Sequence, residues 1–233
     1  MGQDSGIGVL DKAVAVLSAV AVSPCGLAEL TERTGLARAT AHRLATGLEK
    51  HRLLARDEAG HWLPGPALGE LASTAPDPLV TAGQELLTPL RRLTGESVQL
   101  YRRDGDHRVC IAAAEPPAGL RNTVPVGARL PMTAGSAAKV LLAYSDSTTV
   151  AALLPGAVFT DRALEEVRRR GWAQSIAERE PGVASVSVPV QDRNGAVVAA
   201  VSISGPIDRI GRRPGQRWYS ELQATSAALT QRL

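Results

Sequence analysis

The N-terminal part of the chain spaces its apolar residues as amphipathic helices do. Steps of three and four residues predict a first helix over 9–21. A second helix is predicted over 27–34, where Gly35 ends it, and a third over 37–51. The apolar positions that predict the first helix are Leu10, Ala13, Val14, Leu17 and Val20.

A short hairpin is predicted after the third helix. The runs LLAR at 53–56 and HWL at 61–63 flank the turn-forming residues 57–60. Three helices with a tight glycine turn before the third, followed by a hairpin, are typical of a winged helix-turn-helix. We place this domain at residues 1–64 and expect its third helix to enter the major groove of DNA. The structural alternative is a three-helix packing unit with a solvated basic face.

The remainder of the chain alternates strands with helices. A linker helix is predicted within residues 65–78, and a second domain over 79–233. Strand pairs separated by helices indicate an α+β domain with an antiparallel sheet. The predicted helices span 66–75, 79–93, 135–144, 164–170 and 221–233, and the predicted strands span 97–102, 108–114, 123–126, 183–190 and 196–204.

Composition and charge narrow the class of protein. The 233 residues are 44% hydrophobic and 21% charged, which excludes a disordered or fibrous chain. The net charge is +3, but residues 1–70 carry seven Lys or Arg against eight Asp or Glu. Between residues 38 and 56, five basic residues stand against one acid, Glu49. A nucleic-acid hypothesis therefore rests on this local excess and not on the overall charge.

Basic and polar residues concentrate in the first half of the third predicted helix. A recognition helix in the major groove presents such residues to base edges and phosphates. One further arginine lies in the hairpin, from which it can touch the DNA backbone. The predicted DNA-binding residues are Arg38, Thr40, His42, Arg43 and Arg56.

The sequence lacks the marks of export, membrane insertion and metal binding. No apolar stretch approaches the roughly 20 residues that span a bilayer, and residues 1–6 lack the order of a signal peptide. Two cysteines cannot form a disulfide framework, and the four histidines show no metal-ligand spacing with them. We expect a cytoplasmic protein that needs neither a metal nor another cofactor.

Three separated blocks of motifs recur in the order of a known family. They are VLDKA at 9–13, LAEL at 27–30 and GLARATAHRL at 35–44, then LPMTAGSAAK at 130–139, and finally GWA at 171–173 with Glu178 and VSISGP at 201–206. Over nearly the whole chain, these motifs resemble the IclR-type bacterial transcription regulators. The run 171–185 is similar to an actinobacterial, NdgR-like branch, whose members regulate amino-acid metabolism, including leucine biosynthesis.

The resemblance implies a GAF-like effector domain with a small-molecule pocket between the sheet and its covering loops. It also implies a pseudo-palindromic operator, dimers joined through the DNA-binding domains and often dimers of dimers. Family ligands are typically small organic acids or aromatic compounds, and an amino acid is a further possibility here. The implied pocket residues are Met132, the backbone of Ser136 and Ala137 at a helix start, Ser175, Ser185, Ser202 and Ser204.

The chain departs from the family pattern at two of these positions. Where relatives that bind a small oxo-acid carry Asp and Cys, this chain has Ser175 and Ser185. We therefore expect a less charged pocket, and the ligand of those relatives cannot be transferred. Free N–H groups at the helix start favour an anion, and serine hydroxyls can donate or accept hydrogen bonds.

Three other functions compete with this interpretation. Ser136 and Lys139 match the S-x-x-K spacing of a serine nucleophile with its base, but the companion K-T-G element is missing, so we do not expect an enzyme. A redox sensor would use Cys110, which we expect to be buried and inert in a strand, or Cys25, which we expect to be more exposed in a turn. A metabolite-binding protein that has lost DNA binding is the third alternative.

Overall fold

The computed structural model describes residues 5–233 and divides them into two compact units. One unit ends at Ala75, and the other is Pro76–Leu233. Residues 1–4, which belong to the predicted first domain and to the stretch inspected for a signal peptide, lie outside the described residues. Among the described helices, none is long and apolar enough to cross a membrane.

The N-terminal unit is a winged helix-turn-helix, which confirms the predicted fold. Gly35 ends the second helix in the left-handed region, with φ of 67°, and this sets the tight turn before the third helix. The hairpin strands pair antiparallel, with Ala55 opposite Leu63. The elements are α1 (Gly8–Val22), α2 (Leu27–Thr34), α3 (Arg38–Lys50), β1 (Leu54–Arg56), β2 (Trp62–Pro64) and α4 (Pro66–Thr74).

The core of this unit uses only part of the apolar pattern of α1. Val16 and Val20 are fully buried, whereas Leu10 and Val14 remain 48% and 50% exposed. The first half of α1 therefore presents apolar side chains that the described part of the unit does not cover. The buried core residues are Val16, Val20, Cys25, Leu30, Ala41, Ala45, Leu54 and Trp62.

The expected exposure of Cys25 is wrong. Its backbone N–H and C=O both bond to the backbone of Trp62, at 3.1 and 3.0 Å, and form an isolated bridge. This pairing holds the turn against β2 and buries the thiol completely.

The second unit is an α+β domain built on one antiparallel sheet. The elements are α5 (Pro78–Thr94), β3 (Ser97–Asp104), β4 (His107–Ala114), β5 (Arg129–Pro131), α6 (Ser136–Ala143), α7 (Ser147–Leu153), α8 (Asp161–Arg170), β6 (Ala173–Ile176), β7 (Val183–Gln191), β8 (Val197–Pro206), α9 (Ile207–Ile210) and α10 (Pro214–Gln231). The six strands run in the order β5-β4-β3-β8-β7-β6, and every neighbouring pair is antiparallel.

The two faces of the sheet differ in chemistry because side chains alternate along each strand. On β7, Val186 and Val188 lie in the apolar core that α5 and α10 complete. Ser185 and Ser187 point to the opposite face, where their hydroxyls contact Ser136 of α6. The sheet therefore carries the apolar core under α5 and α10 on one side, and on the other side a row of polar side chains next to a second apolar cluster that includes α6.

The strand predicted over 123–126 is wrong. Pro125 has no N–H to donate to a ladder, and its carbonyl accepts from Ala128 N in a turn where Gly127 has φ of 88°. The strand next to β4 is instead β5, which follows that turn. Three further elements, α7, α9 and the short edge strand β6, are not predicted from the sequence.

Candidate functional site

The exposed side of α3 carries basic and polar side chains. Ala41 and Ala45 turn into the core, which directs the opposite side of the helix to solvent. Of the residues predicted to contact DNA, Arg38, His42 and Arg43 are exposed and Thr40 is half-buried, all within the first two turns of α3. A shallow groove on this surface is lined by His42, Arg43, Thr46, Gly47 and Lys50.

The basic residues of this region divide into paired and unpaired groups. Arg52 forms an ion pair with Glu70, and Arg56 pairs with Glu49. Within residues 5–233, Arg38, Arg43 and Lys50 have no ion-pair partner. The surface of α3 therefore carries three positive charges that are available to phosphates.

The fifth predicted DNA contact, Arg56, lies in a cluster that ties the hairpin to α3. Its Nε is 3.1 Å from Glu49 Oε2, and its guanidinium lies 4.3 Å from the centre of the Trp62 ring. Trp62 Nε1 donates to the same Glu49 oxygen at 3.1 Å, and the His42 ring meets Trp62 edge-on at 6.0 Å. The hydrogen bonds from Arg56 and Trp62 hold the pKa of Glu49 below its usual value.

The second unit holds a polar cavity on the sheet face that carries α6. Most of the pocket residues implied by the resemblance line it. Met132 does not, because its side chain is fully buried in the neighbouring apolar cluster. The lining residues are Gln99, Tyr101, Arg108, Asn122, Gly135, Ser136, Ala137, Ser175, Arg179, Glu180, Val183, Ser185, Ser202 and Ser204.

Strand register places the polar residues of the cavity in two rows across the sheet. In one row, Ser175 lies opposite Ser185, and Ser185 lies opposite Ser204. In the other row, Ser202 lies between Ser187 and Gln99. Register thus brings together residues that are far apart in the sequence.

The hydroxyls of these rows are joined by hydrogen bonds. Ser136 Oγ lies 2.7 Å from both Ser185 Oγ and Ser187 Oγ, and Ser187 Oγ lies 2.5 Å from Ser202 Oγ. Four serines from α6, β7 and β8 are therefore linked into one network. A network in which each hydroxyl has a partner fixes the rotamers that a ligand would meet.

A second network crosses the cavity toward a basic residue. Ser204 Oγ donates to Gln99 Oε1 at 2.9 Å and accepts from Asn122 Nδ2 at 2.8 Å. Arg179 Nη2 in turn donates to Asn122 Oδ1 at 2.9 Å. Asn122 therefore connects the serine row to Arg179.

Charged residues line the cavity as well as serines. Arg108 and Arg179 contribute guanidinium groups, and Glu180 contributes one carboxylate, 3.2 Å from Arg179. These residues, like Gln99, Tyr101 and Asn122, are not among the pocket residues predicted from the sequence. The sequence does contain a sign that Arg108 faces inward, because it has the same spacing along β4 as Cys110 and Ala112. All three residues are buried in the structure.

The hydrogen bonds of Ser136 and Lys139 do not fit the alternative of a serine nucleophile with a lysine base. Lys139 Nζ donates to Gln174 O at 2.9 Å and to Glu178, while Ser136 Oγ bonds to two other serines. Lys139 is therefore an ion-pairing residue and does not activate Ser136. Within the described part of the chain, no three His, Cys, Asp or Glu side chains are grouped to hold a metal ion.

The cysteines do not have the surroundings of a redox sensor. Cys110 is fully buried, as expected, and burial raises the pKa of its thiol to about 11. Burial also raises the pKa of Cys25. Since the thiolate is the reactive form, neither thiol is activated.

A winged helix-turn-helix joined to a separate domain with a polar cavity defines the class of ligand-binding transcriptional regulators. Comparison with known proteins agrees with this class. The family model described as IclR helix-turn-helix domain matches residues 9–58, and the one described as Bacterial transcriptional regulator IclR C-terminal matches residues 73–231. The chain belongs to the IclR family of bacterial transcriptional regulators.

Individual relatives support the same assignment over the full length. An HTH-type transcriptional regulator of Mycobacterium tuberculosis is 31% identical, over 97% of this chain and 90% of its own length. The glycerol operon regulatory protein of Streptomyces coelicolor is 30% identical, over 87% of this chain and 86% of its own. The crystal structure of an IclR-family regulator from Rhodococcus superposes with a TM-score of 0.75 at 27% identity, over 99% of this chain and 95% of that one. These proteins are transcriptional regulators and not enzymes.

Proposed function

We propose that this protein is a ligand-responsive regulator that binds a pseudo-palindromic operator through α3. The observation that carries the proposal is the set of three cations on α3, Arg38, Arg43 and Lys50, without ion-pair partners among the described residues. Thr40 and His42 lie among them and can meet base edges or phosphates. In this scheme Arg56 makes a weaker contact with the DNA backbone, because Glu49 already neutralises the charge of Arg56.

We propose that the operator is bound by a homodimer joined through the N-terminal units. The support is the apolar side of α1, where Val9, Leu10 and Val14 remain exposed by about half or more. Apolar side chains at i and i+4 on one helix suit packing against the same helix of a second copy. Pairing of two such dimers into a tetramer is compatible with the same interface.

In this scheme the cavity of the second unit binds the effector, which is a small organic acid or an amino acid. An effector changes DNA binding only if its affinity differs between DNA-competent and DNA-incompetent arrangements. The helix α4 is the last element of the N-terminal unit and directly precedes the second unit along the chain, so it is the element through which such a difference would pass. The protein would act in the cytoplasm, where bacterial DNA lies, and the genes that it regulates would belong to amino-acid metabolism.

Selection from sheared genomic DNA of the source organism tests this function. The purified protein is incubated with the fragments, and those retained at physiological salt are sequenced. A shared motif with two inverted half-sites would support operator binding by a dimer, and the adjacent genes would test the proposed pathway. Retention without a motif, lost at moderate salt, would leave only general attraction to phosphates. The protein would then be better described as a metabolite-binding protein.

We expect Arg43→Ala to weaken operator binding and to flatten its dependence on salt. A phosphate contact contributes about 0.9 to the slope of log K against log salt concentration. Arg56→Ala should change the slope less, because Glu49 pairs with Arg56 before DNA is bound. Titration of labelled operator at several salt concentrations measures the slopes, with Arg92→Ala on α5 as a charge-matched control. An unchanged slope for Arg43→Ala would remove this residue from the phosphate contacts.

Gly47→Ala is expected to stabilise the protein while weakening DNA binding. Gly47 lies inside α3, and a Cβ at this position would meet no atom within 4 Å, so alanine should raise the free energy of unfolding by about 0.5–1 kcal/mol. The added methyl would lie in the groove that we assign to DNA. Gly69→Ala in α4 is the matched control, since its Cβ also meets open space. Thermal unfolding and operator titration of both variants measure the two effects. Operator binding by Gly47→Ala that is as strong as that of the wild type would mean that DNA does not lie in this groove.

A further inference from the structure

The start of α10 carries exposed arginines that the second unit does not neutralise. Arg212 and Arg213 directly precede the helix, and Arg217 lies in its first turn. Within residues 5–233, the side chains of Arg212 and Arg213 have neither an ion-pair partner nor a hydrogen bond. Arg217 donates to the carbonyl of Arg209 at 2.9 Å and forms no ion pair in the same range. Three guanidinium groups therefore lie close together along the chain with their charges free.

Two tryptophan rings hold arginines of this region in place. The Arg217 guanidinium lies 4.5 Å from the centre of the Trp218 ring. Arg170, at the end of α8, lies 3.7 Å from the centre of the Trp172 ring, and its Nε donates to the Trp172 carbonyl at 2.8 Å. Stacking restricts the rotamers of both arginines, so they lose less conformational entropy when they bind a partner.

Trp172 joins the end of α8 to the start of α10. A Cβ on Gly215 would lie 1.9 Å from the Trp172 ring, so the ring packs directly on the backbone of Gly215. The ring of Tyr219, one turn later, has its centre 6.4 Å from that of Trp172. The arginines of the two helix ends therefore belong to one surface. We define the arginine–tryptophan surface as Arg170, Trp172, Arg212, Arg213, Arg217 and Trp218.

The composition of the arginine–tryptophan surface is that of a protein interface. Only 3% of the chain is aromatic, yet two of its three tryptophans lie here. Tryptophan and arginine are enriched at protein interfaces, where a few such residues contribute most of the binding energy. Both tryptophans are half-buried, so part of each side chain remains available to a partner.

The charges of this surface favour an acidic protein over a nucleic acid. A guanidinium group pairs with carboxylates and with phosphates alike. Acids lie beside the arginines, however, because Glu166 is 2.9 Å from Arg170 and the exposed Asp208 precedes Arg209 in α9. The DNA backbone carries a charge at every nucleotide and would meet these acids. A protein segment can instead place its carboxylates opposite the arginines alone.

We propose that the arginine–tryptophan surface binds an acidic segment of another protein. The carboxylates of that segment pair with Arg212, Arg213 and Arg217, and its apolar side chains pack against the exposed parts of the tryptophans. This inference goes beyond the proposed function, since it adds a protein partner to DNA and effector. The surface lies wholly within the second unit and does not require α3.

Fluorescence anisotropy of a labelled peptide rich in glutamate and leucine tests this surface on the full-length protein. A matched peptide carries glutamine in place of every glutamate, which separates the effect of charge from that of apolar contact. The glutamate peptide is expected to bind and to shift the tryptophan emission of the protein, and the glutamine peptide is not. This comparison uses the wild type and needs no variant to fold.

The double variant Arg212→Ala, Arg213→Ala assigns the binding to this surface. Loss of one exposed ion pair weakens binding by up to about fivefold, so the double variant should bind the glutamate peptide about 5- to 25-fold less tightly. Its melting temperature should stay near that of the wild type, because both residues are exposed. Arg193→Ala is the matched control, since Arg193 is exposed in the turn before β8, at the opposite end of that strand from α9.

Several outcomes would overturn the proposal. They are no binding of the glutamate peptide, equal binding of the glutamine peptide, or unchanged binding by the double variant. Displacement of the peptide by duplex DNA without the operator would make this a nucleic-acid surface instead. A smaller oligomer of the double variant in sedimentation would mean that a second copy of this chain covers the surface. Loss of operator selection with retained peptide binding would reject only the proposed function.

Discussion

Trp62→Ala is expected to remove much of the stability of the N-terminal unit while the second unit keeps its own. Trp62 is 2% exposed in a small core, and truncating a buried tryptophan to alanine costs about 3–5 kcal/mol. At about 0.05–0.15 kcal/mol per residue, a unit of this size has only about 4–11 kcal/mol of stability in total. The variant also removes the ring on which Arg56 packs and the N–H that donates to Glu49 of α3.

Hydrogen exchange read separately for each unit measures this effect. Amides of α1, α2 and α3 should lose protection, whereas those of β7 and β8 should keep it. Trp62→Phe is the milder variant for comparison, because it keeps an aromatic ring in the core and loses the hydrogen bond to Glu49 and part of the indole volume, so it should destabilise the unit less. Full protection of α3 in Trp62→Ala would mean that the core of this unit does not depend on the indole.

Gly65→Ala is expected to destabilise the same unit through a backbone clash. A Cβ at Gly65 would lie 2.2 Å from Arg52 O and 2.8 Å from Leu54 C, which are backbone atoms. Arg52 cannot move freely, because it already has a positive φ of 59° and its carbonyl accepts from Ala67 N. Overpacking of this kind costs about 3 kcal/mol, which lowers the melting temperature of a small domain by roughly 12–24 °C.

Thermal unfolding compares Gly65→Ala with Gly69→Ala, which makes the same chemical change four residues later in open space. The control should melt at or slightly above the temperature of the wild type, since alanine favours a helix interior. Equal melting temperatures for the two variants would mean that α4 and the hairpin can separate without loss of stability. The backbone contact at Arg52 would then be irrelevant to folding.

Helix spacing and turn residues were sufficient to predict the N-terminal unit. The apolar period and Gly35 gave the helices to within one or two residues, because both signals are local. The strand order of the second unit could not be predicted in this way, since register depends on residues far apart in the chain. No strand forms at 123–126, although Thr123, Val124 and Val126 are β-branched, because Pro125 has no N–H to donate to a ladder.

The cavity was only half predictable from the sequence. The serines were found through a family resemblance, and the alternation of Ser185 and Ser187 with valines supports the same face from the residues alone. Arg108 was missed because a charged residue beside a hairpin turn is usually solvated. Its burial depends on β5 and the start of α6, which approach it only in the folded unit.

The alternation of serine and valine on β7 has a consequence for how such proteins diverge. Residues that line the cavity and residues that lie in the apolar core are one step apart in sequence but on opposite faces of the sheet. Point mutations can therefore exchange one chemical preference for another without opening a void beneath α5 and α10. A sheet arranged in this way lets a regulator acquire a new signal molecule while its thermodynamic stability is preserved.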